Sequence, residues 1–402
     1  MLGVTSFDSA GTESEVATAR RTPFPTSAPI ALTFFDVLTV AAFSVYLAAA
    51  GAAWWALRRP SPPPSDATPF VSVVVAARNE AARLPALLAD LAAQSYPAFE
   101  ALIVDDRSTD GTAELVEAAA ARHPGRFRLV RQTEVPPCIS PKKLALQRGV
   151  EASRGEILLL TDADCRVPCT WVAGLVRSFQ PDVAMVLGCS KYASEGPWFE
   201  RFQAFDFLTL TTTMLASVRL GMPLGASGHN LAYRRAAFDR VGGYRSGLGR
   251  IAGDDMLMLY LIRSAPELGR IGWADGAETL VRTQPVPTFR DFRNQRARWA
   301  SSGMHHFRAD VRVLAYGAAS LYANVFVLCG PLFVWTGYLA WAGWIAGVLA
   351  KLAADLLLYG TAAHRFGRPQ LLRWLPLWFL AQPFYLTAMA VWGSRPRFHW
   401  KP

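Results

Sequence analysis

Carboxylates recur in this sequence just after short apolar runs, where a sheet protein exposes its reactive groups. Val104-Asp105-Asp106-Arg107-Ser108-Thr109-Asp110-Gly111-Thr112 follows one such run. Its carboxylates can accept hydrogen bonds from a nucleobase or ribose, and Gly111 permits a turn into a helix. An Asp-capped helix start is the plain alternative. Leu160-Thr161-Asp162-Ala163-Asp164-Cys165 follows another run. Two carboxylates at i,i+2 after an extended segment can reach one divalent ion bridging a diphosphate, and open oxygen sites suit Mg²⁺ or Mn²⁺. Four apolar residues before the motif make an ion-free polar turn the weaker alternative.

Gly253-Asp254-Asp255 opens an apolar helical stretch. Acids are favoured at helix N-termini on dipole grounds alone, so capping competes with a role as general base. In Gln295-Arg296-Ala297-Arg298-Trp299, Arg298 offers a planar fork for phosphate oxygens and Trp299 a stacking face for a sugar ring. Arg beside Trp is also an ordinary interfacial pair near a membrane. Cys165 and Cys169 are four apart, but no second Cys or His pair stands at zinc spacing, and five scattered cysteines imply no disulfide framework.

The elements that must position these groups are legible as a period. Val71–Val75 reads as a buried parallel strand, and Ala101–Val104, Phe127–Val130 and Ile157–Leu160 as further strands. Helical stretches at about Glu80–Gln94, after Asp110-Gly111-Thr112, and at Lys142–Ala152 alternate with them. This alternation predicts a doubly wound α/β domain that binds ligands at the carboxyl ends of its strands.

Long uncharged runs flank that domain, in a chain of 402 residues with 52% hydrophobic composition and a net charge of +10. The expected organisation is a disordered tail over 1–28, a membrane helix over 30–57 and a Pro-rich linker over 58–69. An α/β domain over 70–310, ending in interfacial helices, precedes two or three spanning or re-entrant segments over 311–393 and a basic tail over 394–402. Val37–Leu57 is too long for a signal h-region and stops at Arg58-Arg59, as a retained anchor would. Arginines beside the apolar runs point to anionic lipid, and the strongest pockets are acidic, which argues against a nucleic-acid partner. Lys351 and Asp355 stand at i,i+4 inside a span and can pair there. A full span over Leu371–Trp392 would put Arg395, Arg397 and Lys401 outside, against the charge rule. Either that stretch is re-entrant, bent at Pro376 and Pro383, or the rule fails for the short tail.

In this order, the four motifs resemble the family 2 glycosyltransferases with a GT-A (Rossmann-like) fold. The similarity is to the membrane-integrated branch that includes cellulose, chitin and hyaluronan synthases and ceramide glucosyltransferases. It runs from about Phe70 to Ser302, and Gln295–Trp299 matches that branch's Gln-(Gln/Arg)-x-Arg-Trp pattern at each fixed position. The resemblance implies that Arg78-Asn79-Glu80 opens the nucleotide pocket, with Glu80 near the base or ribose and Asp106 on the uracil or its equivalent. It implies that Lys142 approaches the nucleotide, that Asp162 lies near the ribose or sugar, and that Asp164 is the principal metal ligand. Asp255 becomes the catalytic base. Asp254 replaces a glutamate of many relatives, which leaves its role on the acceptor side open. Gln295, Arg298 and Trp299 are implied to bind the diphosphate and the acceptor terminus. Gly225–Arg235 resembles an acceptor-side strand, with His229 and Asn230 available to sugar hydroxyls; for His229 a structural role is equally expected.

The implied reaction is a metal-dependent in-line transfer with inversion. The sugar leaves a nucleotide donor, a UDP-sugar first among candidates, for a lipid or lipid-linked acceptor. The implied location is a bacterial inner membrane, with the catalytic domain in the cytoplasm. Residues 196–222 are apolar and aromatic, either as an interfacial helix admitting lipid or as an ordinary core helix. Processive polysaccharide synthesis and a catalytically silent nucleotide-sugar scaffold are the competing expectations.

Overall fold

A computed structural model describes residues 34–193, 196–249, 253–309 and 311–394. The expected tail over 1–28 lies outside these residues, as does the basic tail beyond Ser394. The chain divides at Ala41, so the first turns of helix α1 (Phe34–Arg58) form a unit apart from all that follows.

The central domain begins with β1 (Val71–Ala77), α2 (Leu84–Ala92), β2 (Phe99–Asp106), α3 (Thr112–Arg122), β3 (Phe127–Gln132), α4 (Pro141–Ala152) and β4 (Ile157–Leu160). These are the expected strands and helices. There follow α5 (Trp171–Arg177), β5 (Val183–Gly188), β6 (Ser190–Tyr192), α6 (Trp198–Arg219), β7 (Leu231–Arg234) and α7 (Arg235–Arg240). The domain closes with α8 (Asp254–Arg263), β8 (Arg270–Ala274), β9 (Val281–Thr283) and α9 (Phe289–Ala309). Seven strands form one sheet in the order β3-β2-β1-β4-β7-β5-β8, and β6 pairs with β9 beside it.

Alternation along β1 explains the layering. Val71, Val73 and Val75 face α2, α3 and α5 through one apolar cluster, while Val74 faces the other cluster with α4, α6 and α8. At Gly149 of α4 a Cβ would stand 2.5 Å from Val74 and 2.8 Å from Val104, so only glycine lets this helix lie so close.

The sheet is mixed: β1 to β4, the strands expected from the sequence, run parallel to one another, and the reversal comes later in the chain. β7 runs antiparallel to both β4 and β5, with Leu231 opposite Leu160. This reversal brings the residues before β7 to the carboxyl end of β4, beside Asp162. Thr161 Oγ1 donates to the His229 carbonyl at 2.8 Å and pins the two segments there.

Beyond the sheet lie α10 (Val311–Trp335), α11 (Trp341–Arg365) and α12 (Leu375–Ser394). Among the described residues three segments are long and apolar enough to cross a membrane: Phe35–Arg58, Leu314–Trp335 and Trp341–Arg365. Helix α12 is not among them; it contains Pro383 and packs along α9 and α10. Lys351 and Asp355 pair at 2.7 Å, as their spacing predicts. Gln382 of α12 accepts from Lys351 at 2.9 Å, and Tyr46 of α1 donates to Asp355 at 2.5 Å, so the buried charges tie three helices together.

Helix α6 settles the reading of residues 196–222. Its buried residues, among them Phe205 and Leu215, share one apolar cluster with Leu358 and Ala362 of α11 and Trp378 of α12. It is a core helix joining the sheet to the membrane helices, and only its first residue, Trp198, is a strongly exposed aromatic (64%).

Candidate active site

The carboxyl end of β4, the start of α4, the turn before β7 and the start of α8 meet around Lys142. Its ammonium is 2.7 Å from Asp162 Oδ1 and 3.3 Å from Asp254 Oδ2. His229 Nε2 lies 3.6 Å from Asp162 Oδ2, and His229 Nδ1 is 3.0 Å from Ser227 Oγ. Asp255 Oδ2 accepts from the Gly228 N–H at 3.0 Å, and Oδ1 from the Met256 N–H at 2.7 Å. Gly253 makes this possible by entering α8 with φ of 77°, a conformation suited to glycine. Gly228 lies so near the acids that an added Cβ would stand 3.5 Å from Asp254 and 3.6 Å from Lys142.

The charges in this cluster are unequal. Burial, and then the adjacent Asp254 carboxylate, push Asp255 up to about 6, while Lys142 and two backbone N–H groups oppose that rise. Asp162 moves the other way: against burial, Lys142, then His229 and more weakly Arg298, hold it well below the usual carboxylate range. Lys142 is raised despite its own burial, because Asp162 and Asp254 favour its charge. Two acids on one lysine are thus pushed apart, the pattern by which a site separates a fixed anion from a proton acceptor.

Asp164 is half-buried two residues beyond Asp162. Among the described residues no group of three or more His, Cys, Asp or Glu side chains is arranged to hold a metal. The chemistry still fits Mg²⁺ or Mn²⁺, since such ions are commonly held by one or two carboxylates, with substrate phosphates and water completing the shell. Asp164 is the side chain open to that role, because Asp162 is engaged by Lys142 and His229.

Glu80 and Asp106 stand at the neighbouring strands β1 and β2 rather than in the Lys142 cluster. Asp106 is buried, and its Oδ1 accepts from Gln132 Nε2 and Arg107 Nε, both at 2.8 Å. Asn79, with φ of 51°, accepts from the Thr109 N–H at 2.9 Å, and the Glu80 N–H donates to Thr112 Oγ1 at 2.9 Å. These bonds stitch the two loops into one wall. Asp110 accepts from the Thr112 N–H at 3.1 Å, an Asx turn that leads into α3 from the residue before its Gly111 N-cap.

The Gln295–Trp299 segment lies on α9. Arg296 is fully buried: its Nη2 is 2.5 Å from Asp206 Oδ2, its Nε donates to Tyr385 Oη at 3.0 Å, and its Nη1 donates to Gln295 Oε1 at 2.5 Å. The guanidinium also stacks 4.2 Å from the Trp299 ring. Trp299 lies 6.2 Å from Phe207, which lies 6.1 Å from His229, so an aromatic floor runs from α9 to the acidic cluster. Arg298 reaches the cluster through its field on Asp162.

Asn230 corrects an expectation. It is fully buried, donating to the carbonyls of Cys189 at 2.8 Å and Thr279 at 2.7 Å and accepting from Trp171 Nε1 at 2.9 Å. Its amide is committed to tying the start of β7 to Trp171 of α5, to Cys189 just after β5 and to Thr279 just before β9, and its burial leaves none of it for a sugar hydroxyl. Sequence reading also passed over the brace of Asp206, Arg296 and Tyr385. A lone carboxylate inside the apolar run of α6 was its signal, since such an acid demands a buried partner.

Comparison with known proteins follows this geometry. The model for glycosyl transferase family 21 matches residues 37–401. A β-monoglucosyldiacylglycerol synthase of Nostoc sp. is 27% identical over 244 residues, 60% of this chain and 50% of that protein. A dolichyl-phosphate β-glucosyltransferase, ALG5C of Trichomonas vaginalis, is 37% identical over 123 residues, 26% of this chain and 35% of its own. The chain thus spans half or less of these relatives. A mannosyltransferase of Pyrobaculum calidifontis, PcManGT, solved with GDP-mannose and Mn²⁺, superposes with a TM-score of 0.56 at 24% identity, over 90% of this chain and 99% of that one. That likeness shows a shared GT-A type of fold.

Proposed function

This chain belongs to glycosyl transferase family 21, and from that premise we propose that it transfers a sugar from a nucleoside-diphosphate donor to a lipid hydroxyl, with inversion. The observation that carries the reading is Asp255. It is half-buried beside Asp254 and Lys142, with its proton affinity raised to about 6, at the end of an aromatic floor. An acid so tuned is useful to an acceptor that must lose a proton. A phosphate acceptor has no such need.

In this mechanism the acceptor oxygen attacks the anomeric carbon from the face opposite the diphosphate. The bond from that carbon to the phosphate oxygen breaks, and the hydroxyl proton passes to Asp255. The nucleoside diphosphate leaves with the electron pair of the broken bond. Lys142 keeps Asp162 and Asp254 in place, and Asp162 orients the donor. Arg298 grips phosphate oxygens. Glu80 and Asp106 hold the nucleoside end, and uridine is the first base to test. His229, Trp299 and Gln295 form the acceptor wall, with Asp254 between the two substrates. Mg²⁺ or Mn²⁺, held by Asp164 and the donor, would supply positive charge to the leaving diphosphate.

Membrane association follows from the three apolar helices. We place the sheet domain on the cytoplasmic face of a bacterial inner membrane. The charge rule supports this placement, since Arg58-Arg59 after α1 and His364-Arg365 at the end of α11 would then lie on the domain's side. Exposed Trp198 (64%) and Phe289 (63%), at the starts of α6 and α9, suit contact with the bilayer from which the acceptor comes.

The test is transfer by the full chain in nanodiscs, with nucleotide sugars offered against diacylglycerol, ceramide and polyprenyl phosphate, and products identified by mass spectrometry. Glycosylated hydroxyl lipid, abolished by Asp255→Asn with donor binding retained, is expected. Full activity of that variant would remove the base, and product from polyprenyl phosphate alone would remove the hydroxyl acceptor.

A further inference from the structure

The motif on α9 contains one residue that the proposed chemistry does not use. Gln295 and Trp299 are half-buried and belong to the acceptor wall in that reading, while Arg296, in their midst, is fully buried. Burying a guanidinium is costly, and a single ion pair would be enough to neutralise Asp206. The fork of Arg296 does more than that.

Its planar group lies against two rings of its own helix, 4.3 Å from Phe292 one turn before and 4.2 Å from Trp299 one turn after. Residues three and four apart share a helix face, so the three side chains form one row. Every nitrogen of the fork is engaged. Nε and Nη2 donate to Asp206 Oδ2 at 2.8 and 2.5 Å, and Nε also meets Tyr385 Oη at 3.0 Å. Nη1 donates to Gln295 Oε1 at 2.5 Å, and Tyr385 Oη donates in turn to Asp206 Oδ2 at 3.2 Å. A guanidinium held in this way cannot rotate without breaking several bonds. Lysine could not replace it, because an ammonium has neither the plane nor the fork.

Two consequences reach the acceptor wall. Arginine only donates, so the Gln295 atom that meets it must be the oxygen, and the amide Nε2 is the group left to donate to a ligand. One face of the Trp299 indole is covered by the cation, so a sugar or lipid surface can stack only on the other. The partners that fix this pose come from outside α9. Asp206 belongs to α6, and Tyr385 belongs to α12, where its ring packs on Trp378 at 5.2 Å and on Phe292 at 6.2 Å.

We propose that Arg296 is a positioning residue for the acceptor. Clamped by Asp206 and Tyr385, it fixes the Trp299 ring and the Gln295 amide in the pose that receives the acceptor, and it touches no substrate itself. The inference rests on the reading of that wall as the acceptor side. It makes α12 a contributor to acceptor binding through one hydroxyl behind the wall.

The experiment uses the full chain in nanodiscs, with Michaelis constants measured for the donor and for the hydroxyl lipid that the wild type glycosylates. Tyr385→Phe removes the hydroxyl and keeps the ring packed on Trp378. It should raise the acceptor KM about fivefold, the worth of one hydrogen bond, with kcat and the donor KM changed by less than about twofold. In a Trp299→Ala background the same substitution should add less than about twofold, because its route to the acceptor is gone. Arg296→Lys keeps a charge beside Asp206 and loses the stack, so it should raise the acceptor KM more than Tyr385→Phe does. Fluorine NMR of the chain labelled with 5-fluorotryptophan reads the ring without turnover, the Trp299 resonance being identified by its loss in Trp299→Phe. That resonance should shift in Tyr385→Phe, with a circular dichroism spectrum equal to wild type showing that the variant is folded. An unmoved resonance, an equal rise in both Michaelis constants, or the full effect without Trp299 overturns the positioning role. A shifted resonance in a chain that glycosylates no lipid upholds the hold on Trp299 and overturns the acceptor reading instead.

Discussion

Two clusters of charge, one buried and one half-buried, are built on opposite plans in this molecule. On the membrane side charges are matched one to one. Asp206 meets Arg296 at 2.5 Å, and Lys351 meets Asp355 at 2.7 Å, with Tyr385, Gln382 and Tyr46 satisfying further donors and acceptors. At the end of the sheet Asp162, Asp254 and Asp255 share one lysine, and Asp164 stands nearby. A matched pair fixes helices and asks for nothing more. An acidic excess raises the proton affinity of one member and leaves another open to a cation, which is how a site differs from a brace.

Activity should break this comparison most sharply. Asp255→Asn keeps the shape and removes the proposed proton acceptor, so transfer should fall by about 10²–10⁴-fold, the usual worth of a general base. Donor affinity by calorimetry should be nearly unchanged. The opposite outcome is expected in the brace. Asp206→Ala strands a buried guanidinium, for which about 3–5 kcal/mol of lost stability is typical. Thermal unfolding in detergent measures this loss, and partial recovery by adding Arg296→Met would show that the stranded charge caused it.

The contrast also explains what could be read from the sequence. Strands β1 to β4 and their helices were legible because each is a local run with its own period, ending in a polar turn. The Lys142 cluster was legible residue by residue only through the resemblance, since Lys142, Asp162 and Asp254 are far apart in sequence. The antiparallel direction of β7 was hidden, because four residues, Leu231–Arg234, carry no mark of which neighbours they will pair with. The same strand hid the task of Asn230, whose partners Trp171, Cys189 and Thr279 come from three distant segments. Arg296 stood in full view inside a motif. Its partner Asp206 lies ninety positions earlier, and only the packing of α6, α9 and α12 reveals the pair.

A titration distinguishes the two plans with a smaller effect. Asp255 rises from an ordinary 3.8 to about 6 on folding, because burial and Asp254 disfavour its anion. The folded state therefore binds this proton more tightly than the unfolded state. Its contribution to stability is full below about pH 4 and is lost as pH rises through about 6, at most about 3 kcal/mol. Asp255→Asn should remove that fall, seen as the difference between the two unfolding curves from pH 4 to 7. Transfer should run the other way, rising with pH to a plateau above about 6, because only the anion accepts the proton. A pH-independent rate between 5 and 7 would assign the base to another group.

The smallest effect is expected where a charged pair lies in water. Arg245 meets Glu151 at 2.9 Å, a distance comparable to those in the brace, but the side chains are 70% and 48% exposed. Solvent screens the attraction, and Glu151 keeps the Gln147 amide at 2.8 Å when arginine is removed. Arg245→Gln should thus change stability by less than about 1 kcal/mol and leave transfer unaltered. A loss as large as that from Asp206→Ala would mean that proximity alone, and not burial, sets the worth of these pairs, and the distinction between brace and site would have to rest on geometry.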